Sequence, residues 1–173
     1  MAKTSTKVFV MEVMGRHAGW IAAAGGLAQE HEGEPPHLIL FPEIAFDEDD
    51  FVARVDEGVA KYGYCAIVVS EGLRNGDGKF VADAGTRDAF GHAQLGGVAP
   101  VIAEMLKQKL GFKYHWAVAD YLQRAARHIA PKTDVDQAYA LGRAAVGMAS
   151  AGKSAGLPNI VRPDAAPTAW EYG

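Results

Sequence analysis

The sequence holds a single cysteine, Cys65, so no internal disulfide can form. That thiol lies in the apolar run Cys65-Ala66-Ile67-Val68-Val69, the setting of a buried core residue rather than a reactive one. Long hydrophobic runs are also missing. The longest weakly apolar stretch, Gly19 to Ala28, is too short and too glycine-rich to span a bilayer. Residues Met1 to Thr6 lack the apolar segment of a signal peptide, which makes no membrane association and a cytoplasmic location the expectation. There is no basic excess: Lys plus Arg total 17 against 21 Asp plus Glu, a net charge of −4. Nucleic-acid binders carry the opposite footprint, so no nucleic-acid partner is expected. Any anion site must be built locally, from a few arginines and helix ends. Gly76-Asp77-Gly78-Lys79 is not a P-loop, because Phe80 follows it and Leu73 stands where the first glycine belongs. No G-x-G-x-x-G follows a strand, and no G-x-S-x-G elbow supports serine hydrolysis. The six histidines show no metal-ligand spacing with each other or with Cys65.

What remains is ordinary for a globular chain: 173 residues, 49% hydrophobic and 22% charged, enough for one domain with a real core. Short aliphatic runs alternate with segments of helical period. Lys7 to Val13, His37 to Phe41, Ala66 to Val69 and Tyr114 to Ala119 read as strands. Helices are predicted from about Ala18 to Gln29, from Asp47 with Val52, Val55 and Val59 inward, and from Val98. Val98, Val101, Ile102, Met105 and Leu106 share one face of that last helix, and Gly111 is placed to cap it. Asp134 opens a final helix with Leu141, Ala144, Ala145 and Met148 on one face. Between Glu71 and Gly97 the chain is rich in Gly and Asp, with a short helix expected near Ala84 to His92. A short strand is expected near Ile160 in an otherwise patternless tail. The alternation implies an α/β fold, a Rossmann-like three-layer αβα domain with a parallel sheet over residues 1–162, followed by an irregular tail over 163–173.

In such sheets ligands collect at the carboxyl ends of the strands. Three exits then matter. The first is Met14-Gly15-Arg16, where Gly15 permits a sharp turn and Arg16 adds a planar cationic fork ahead of a helix N-terminus. The second is Ser70-Glu71-Gly72, whose carboxylate suits hydroxyl donors such as those of a sugar. The third is Asp120 to Arg124, where Tyr121-Leu122-Gln123-Arg124 offers a phenol and a guanidinium, with Arg127 and His128 beyond. If that segment is helical, Tyr121, Arg124 and His128 share a face. Taken one at a time, the first reads as well as a plain turn with a solvated arginine, Glu71 reads better as an exposed loop glutamate, and the third has the alternative of a solvated basic helix face.

Together they resemble a known family. The stretch Val10 to Ala28, centred on Glu12-Val-Met-Gly-Arg-His-Ala-Gly-Trp, resembles the fructose 6-phosphate loop of 6-phosphofructokinases, and Glu71 and Tyr121-Leu-Gln-Arg124 follow in the expected order. The resemblance runs from about Lys7 to Arg162 and is closest to the bacterial pyrophosphate-dependent branch, on the strength of Tyr121 and the Phe90-Gly-His-Ala-Gln-Leu-Gly-Gly97 loop. It implies sugar-phosphate contacts from Met14, Gly15, Arg16, Glu71, Tyr121 and Arg124, with Arg16 also catalytic. It implies fructose 6-phosphate as acceptor, pyrophosphate or alternatively ATP as donor, Mg²⁺ as cofactor and a homo-oligomeric enzyme. Lys7 and His115 stand where ATP-type members carry arginines that reach a neighbouring subunit's site. The family's donor loop, its catalytic aspartate and its Mg²⁺ ligands belong ahead of Lys7, which only six residues precede. The expectation is therefore the substrate-binding half of a longer enzyme, inactive alone. A non-catalytic sugar-phosphate-binding module is the alternative.

Overall fold

The computed structural model describes residues 6–87, 93–95, 97–161 and 171–172. The chain divides into two compact units, Met1–Gln123 and Arg124–Gly173.

In the first unit, strands β1 (Val8–Val13), β2 (Leu38–Leu40), β3 (Cys65–Ser70) and β6 (Tyr114–Val118) form one parallel sheet in the order β2-β3-β1-β6. Helices cover both faces, and the expected α/β architecture is present. The reason lies in strand alternation. Val8 and Val10 of β1 and Cys65, Ile67 and Val69 of β3 point to one face, all essentially inaccessible to water. There α2 (Glu48–Tyr62) brings Phe51, Val55 and Val59, and α3 (Val98–Leu110) brings Val98, Ala99, Ile102, Ala103 and Leu106. Each large aliphatic side chain so covered stabilises the fold by about 1.5–3 kcal/mol in transfer terms. The opposite face holds a smaller cluster in which Ala22 of α1 (Trp20–Gly25) meets Val13, Met11 and Val68.

The ends of the helices follow their sequence signals. Asp47 accepts a hydrogen bond from the Asp50 N–H to open α2, whose first turn carries Glu48, Asp49 and Asp50. Gly111 takes a left-handed φ of 69° and closes α3 through the Lys107 carbonyl. Lys109 then ties the two helices, reaching Glu48 at 2.5 Å and Asp49 at 3.3 Å. Cys65 is fully buried, and burial pushes its thiol up to about 12.

Two expectations change. Helix α1 is shorter than the predicted Ala18–Gln29, because Gly25 and Gly26 interrupt it; a 3₁₀ turn (Gly26–Ala28) finishes the segment. Each glycine in a helix costs about 1 kcal/mol relative to alanine, so two in succession end an already short one. Among the described residues, the helix expected near Ala84 to His92 is replaced by a strand. Asp83–Arg87 is a strand, β4, paired antiparallel with β5 (Ala93–Leu95). The rest of that expectation, 88–92, lies outside the described residues, as do the Phe90, Gly91, His92 and Gly96 positions of the loop named above.

The second unit holds a 3₁₀ turn (Arg127–Ile129), helix α5 (Lys132–Ser150) and a short antiparallel pair, β7 (Ile160–Val161) with β8 (Glu171–Tyr172). Helix α5 buries none of its residues, although Leu141, Ala144 and Met148 are half-buried. A short helix, α4 (Leu122–Ala125), spans the junction of the units.

Candidate functional site

Parallel register brings three strand exits to one edge of the first unit. Val13 lies beside Ser70, and Glu12 lies beside Val118. Two further bonds extend the ladder past the strands, from the Glu71 N–H to the Val13 carbonyl and from the Ala119 N–H to the Glu12 carbonyl, both 2.9 Å. Residues 14–16, 71–72 and 119–120 therefore emerge side by side, as the carboxyl-end rule requires.

The first two exits interlock. Gly15 has φ of 140°, a conformation a side chain would strain. Its N–H donates to Glu71 Oε1 at 3.1 Å, and its carbonyl accepts from the Ser70 hydroxyl. The α-carbon of Gly72 packs against the next peptide: a methyl group there would lie 2.1 Å from the Arg16 carbonyl oxygen. Three consecutive residues of one turn thus fix two consecutive residues of the other. Arg16 is half-buried, and among the described residues it makes no ion pair.

A pocket of about 310 Å³ opens at this edge, with Glu12, Met14, Glu71, Gly97 and Asp120 in its walls. Among the described residues its walls are rich in acceptors and include no cationic side chain. Asp120 has a left-handed φ of 42°, which aspartate tolerates better than most residues. Glu12 is 5% exposed. Its Oε2 accepts from the Ala99 N–H at 2.8 Å, capping the start of α3 from a different element. Burial raises its carboxyl above the ordinary range, the Ala99 and Val98 N–H groups oppose this, and the charges of Glu71 and Asp120 add to the rise. Asp120 opens the third strand exit, but neither it nor Glu12 is among the six residues expected to contact the ligand. For Glu12 a signal existed: it is in phase with Val8 and Val10, and a carboxylate on a core-facing phase must find donors.

Of the six residues expected at the site, Met14, Gly15, Arg16 and Glu71 come together at this edge. Tyr121 follows Asp120 in the same unit but is 63% exposed and outside the pocket walls. Arg124 belongs to the second unit and is exposed. The supposed common face of Tyr121, Arg124 and His128 does not form. Tyr121 precedes α4, and Ala126, at φ −82° and ψ 51°, breaks the helix before a separate 3₁₀ turn carries His128. The helix end behind Arg16 also differs from its expected role: the Gly19 N–H that opens α1 donates to Glu43 Oε1 at 2.7 Å. That donor faces a carboxylate, so the local positive charge comes from Arg16 itself. Lys7 donates to the Gly63 carbonyl at the end of α2, a structural use within its own unit, and His115 is exposed.

Residues 1–147 match the family model described as phosphofructokinase. The chain belongs to the phosphofructokinase family. It is similar to the pyrophosphate--fructose 6-phosphate 1-phosphotransferases of Halomonas elongata, 67% identical over 98% of this chain and 41% of the relative, and of Methylococcus capsulatus, 64% identical over 99% and 41%. Among solved structures, the pyrophosphate-dependent phosphofructokinase of Marinobacter aquaeolei matches with a TM-score of 0.74 and 60% identity, covering all of this chain and 40% of that one. The resemblance to the bacterial pyrophosphate-dependent branch is thereby borne out. The chain spans about two fifths of the length of these relatives. Among the described residues no helix is long and apolar enough to cross a membrane.

Proposed function

We propose that this chain binds fructose 6-phosphate and serves a phosphotransferase that phosphorylates its 1-hydroxyl from pyrophosphate. The observation that carries this reading is the interlock of Gly15-Arg16 with Ser70-Glu71-Gly72 beside one acceptor-rich pocket. Such a pocket suits a polyol. Carboxylates accept hydrogen bonds from hydroxyls, whereas the same charges repel a phosphate. The sugar hydroxyls are therefore assigned to Glu71, whose Oε2 is left for them once Oε1 has taken the Gly15 N–H. Met14 supplies an apolar wall against the ring.

Phosphoryl transfer demands charge stabilisation and in-line positioning more than covalent chemistry. Arg16 is assigned to the charge that builds on the transferring group. Held on a turn fixed at both of its peptides, it loses little freedom when the ligand arrives. Tyr121 and Arg124 are assigned to the sugar and its 6-phosphate. The family generally uses Mg²⁺. The described residues include no cluster of three or more acidic, histidine or cysteine side chains fit to hold it, and Glu12 and Glu71 each already accept a backbone N–H. No step is assigned to the metal through this chain.

Isothermal titration of the full-length gene product with fructose 6-phosphate tests the reading. Arg16→Ala and Glu71→Ala are each expected to weaken binding by about 10- to 100-fold, or about 1.4–2.8 kcal/mol. Unchanged affinity in both variants would overturn it. A coupled assay offering pyrophosphate and ATP separately decides the donor, with turnover expected from pyrophosphate.

A further inference from the structure

We propose that Arg74, acting through His17, is a positioning residue for Arg16; the inference rests on the function proposed above. His17 directly follows Arg16, and Arg74 lies three residues beyond Glu71. Arg74 Nη2 lies 3.1 Å from His17 Nδ1. A guanidinium can only donate, so this Nδ1 carries the lone pair and the ring's proton sits on Nε2.

Arg74 is itself held from several directions. Nη1 donates to the Gly78 carbonyl at 2.9 Å, and the guanidinium stacks over the Phe80 ring at 4.1 Å. The Arg74 carbonyl accepts from the Phe46 N–H at 2.7 Å. The loop beneath is braced as well. Asn75 Oδ1 accepts from the Asp77 and Lys79 N–H groups, the Val81 N–H donates to Leu73, and Leu73 is buried. The His17 ring also leans on Phe80, centroids 6.2 Å apart.

The turn that carries Arg16 is therefore gripped twice. Gly72 fixes its backbone, and Arg74 fixes the side chain of the next residue. Without the second grip, the peptide between Arg16 and His17 can rock about the first, and the Arg16 guanidinium swings with it. A displacement of about 1 Å at a reacting centre can cost about 100-fold in rate. One planar group makes both hydrogen bonds and the stack at once, a combination a lysine cannot reproduce.

The test is steady-state kinetics on the full-length gene product with pyrophosphate and fructose 6-phosphate. Arg74→Ala and Arg74→Lys are both expected to lower kcat by about 10- to 100-fold with a smaller change in KM. His17→Phe keeps a ring against Phe80 but removes the acceptor, and is expected to match them. His17→Asn restores an acceptor and should recover most of the loss. In an Arg16→Ala background, Arg74→Ala should cost little more, because its effect passes through the missing side chain. The ¹⁵N resonances of His17 should show an unprotonated Nδ1 in the wild type, altered in Arg74→Ala. The His17 pair leaves the Arg74 loop intact, so it decides the matter even if Arg74→Ala does not fold. Wild-type kcat in Arg74→Lys, equal losses in His17→Phe and His17→Asn, or fully additive losses with Arg16→Ala would each overturn the positioning role alone. If Arg16→Ala itself keeps full activity, the proposed function falls first and takes this inference with it.

Discussion

A methyl group on the α-carbon of Gly72 would sit 2.1 Å from the carbonyl oxygen of Arg16, closer than side-chain carbons approach backbone oxygens in folded proteins. The two turns meet backbone to backbone, with no flexible side chain between them to yield. Gly72→Ala must push the Gly15-Arg16 peptides out of place. The expected outcome is a stability loss of about 1–3 kcal/mol, as for other overpacked sites. A drop in fructose 6-phosphate affinity of at least about tenfold should accompany it. Urea denaturation and isothermal titration read the two effects separately. Wild-type affinity in a destabilised but folded variant would show that the close approach matters to the fold alone.

Glu71 does two jobs with two oxygens, and two substitutions separate them. Oε1 accepts from the Gly15 N–H, while Oε2 is assigned to the sugar. Glu71→Gln keeps an amide oxygen for Gly15 and places a donor where a hydroxyl needs an acceptor. Glu71→Ala removes both. Hydrogen bonds to charged acceptors contribute about 1.5–3 kcal/mol, and partial exposure puts this one at the low end. Glu71→Ala is therefore expected to lose about 1.5 kcal/mol of stability and Glu71→Gln much less. Both should lose sugar affinity to a similar degree. Affinity retained in Glu71→Gln would remove the sugar role and leave the brace.

These relationships mark how far the sequence could be read. Strands β1, β3 and β6 and helices α2 and α3 were legible because their apolar period and their capping residues, Asp47 and Gly111, agree. The segment after Glu71 was not. Asp83-Ala-Gly-Thr-Arg87 has weak strand propensity and becomes a strand only by pairing with Ala93–Leu95, a non-local contact that no local pattern encodes. Likewise, four of the six expected site residues converge because parallel register follows from alternating elements. The break at Ala126, which separates His128 from Tyr121 and Arg124, had no signal in an Arg-Ala-Ala-Arg run that favours helix. Glu43 escaped notice because its partner, Gly19, is 24 residues away.

Glu12 should make the stability of the fold depend on pH in an unusual direction. Burial raises its carboxyl above the ordinary value of 4.5 despite the N–H groups of Ala99 and Val98, so the folded state holds this proton more tightly than the unfolded chain does. Its contribution is fully present below about pH 4.5 and is lost as pH rises through the folded value. His37 acts oppositely: burial lowers it below the usual 6.5, and its contribution is lost on acidification. Comparison with Glu12→Gln isolates the first effect, because His37 is common to both proteins. As pH falls from 7 to about 4, the wild type should gain stability relative to Glu12→Gln in urea denaturation. A difference between the two that stays constant across this range would show that Glu12 is ionised in the fold at no cost.

The carboxylate of Glu43 tests where the local positive charge resides. It accepts the Gly19 N–H at 2.7 Å, where α1 begins and where a phosphate would otherwise find a helix end. If Glu43 serves as a remote cap, Glu43→Ala should cost about 1 kcal/mol, in the range of conventional N-caps. Glu43→Gln keeps the acceptor and loses only the charge–dipole part, about 0.3–1 kcal/mol. Affinity for fructose 6-phosphate should be unchanged in both, because no group of the sugar phosphate is assigned to the helix end. Should removal of the Glu43 carboxylate instead tighten binding of the sugar phosphate, the freed N–H would be competing for the same anion. The site would then extend along the chain from Arg16 to Gly19, and the assignment of the 6-phosphate to Tyr121 and Arg124 would have to be given up.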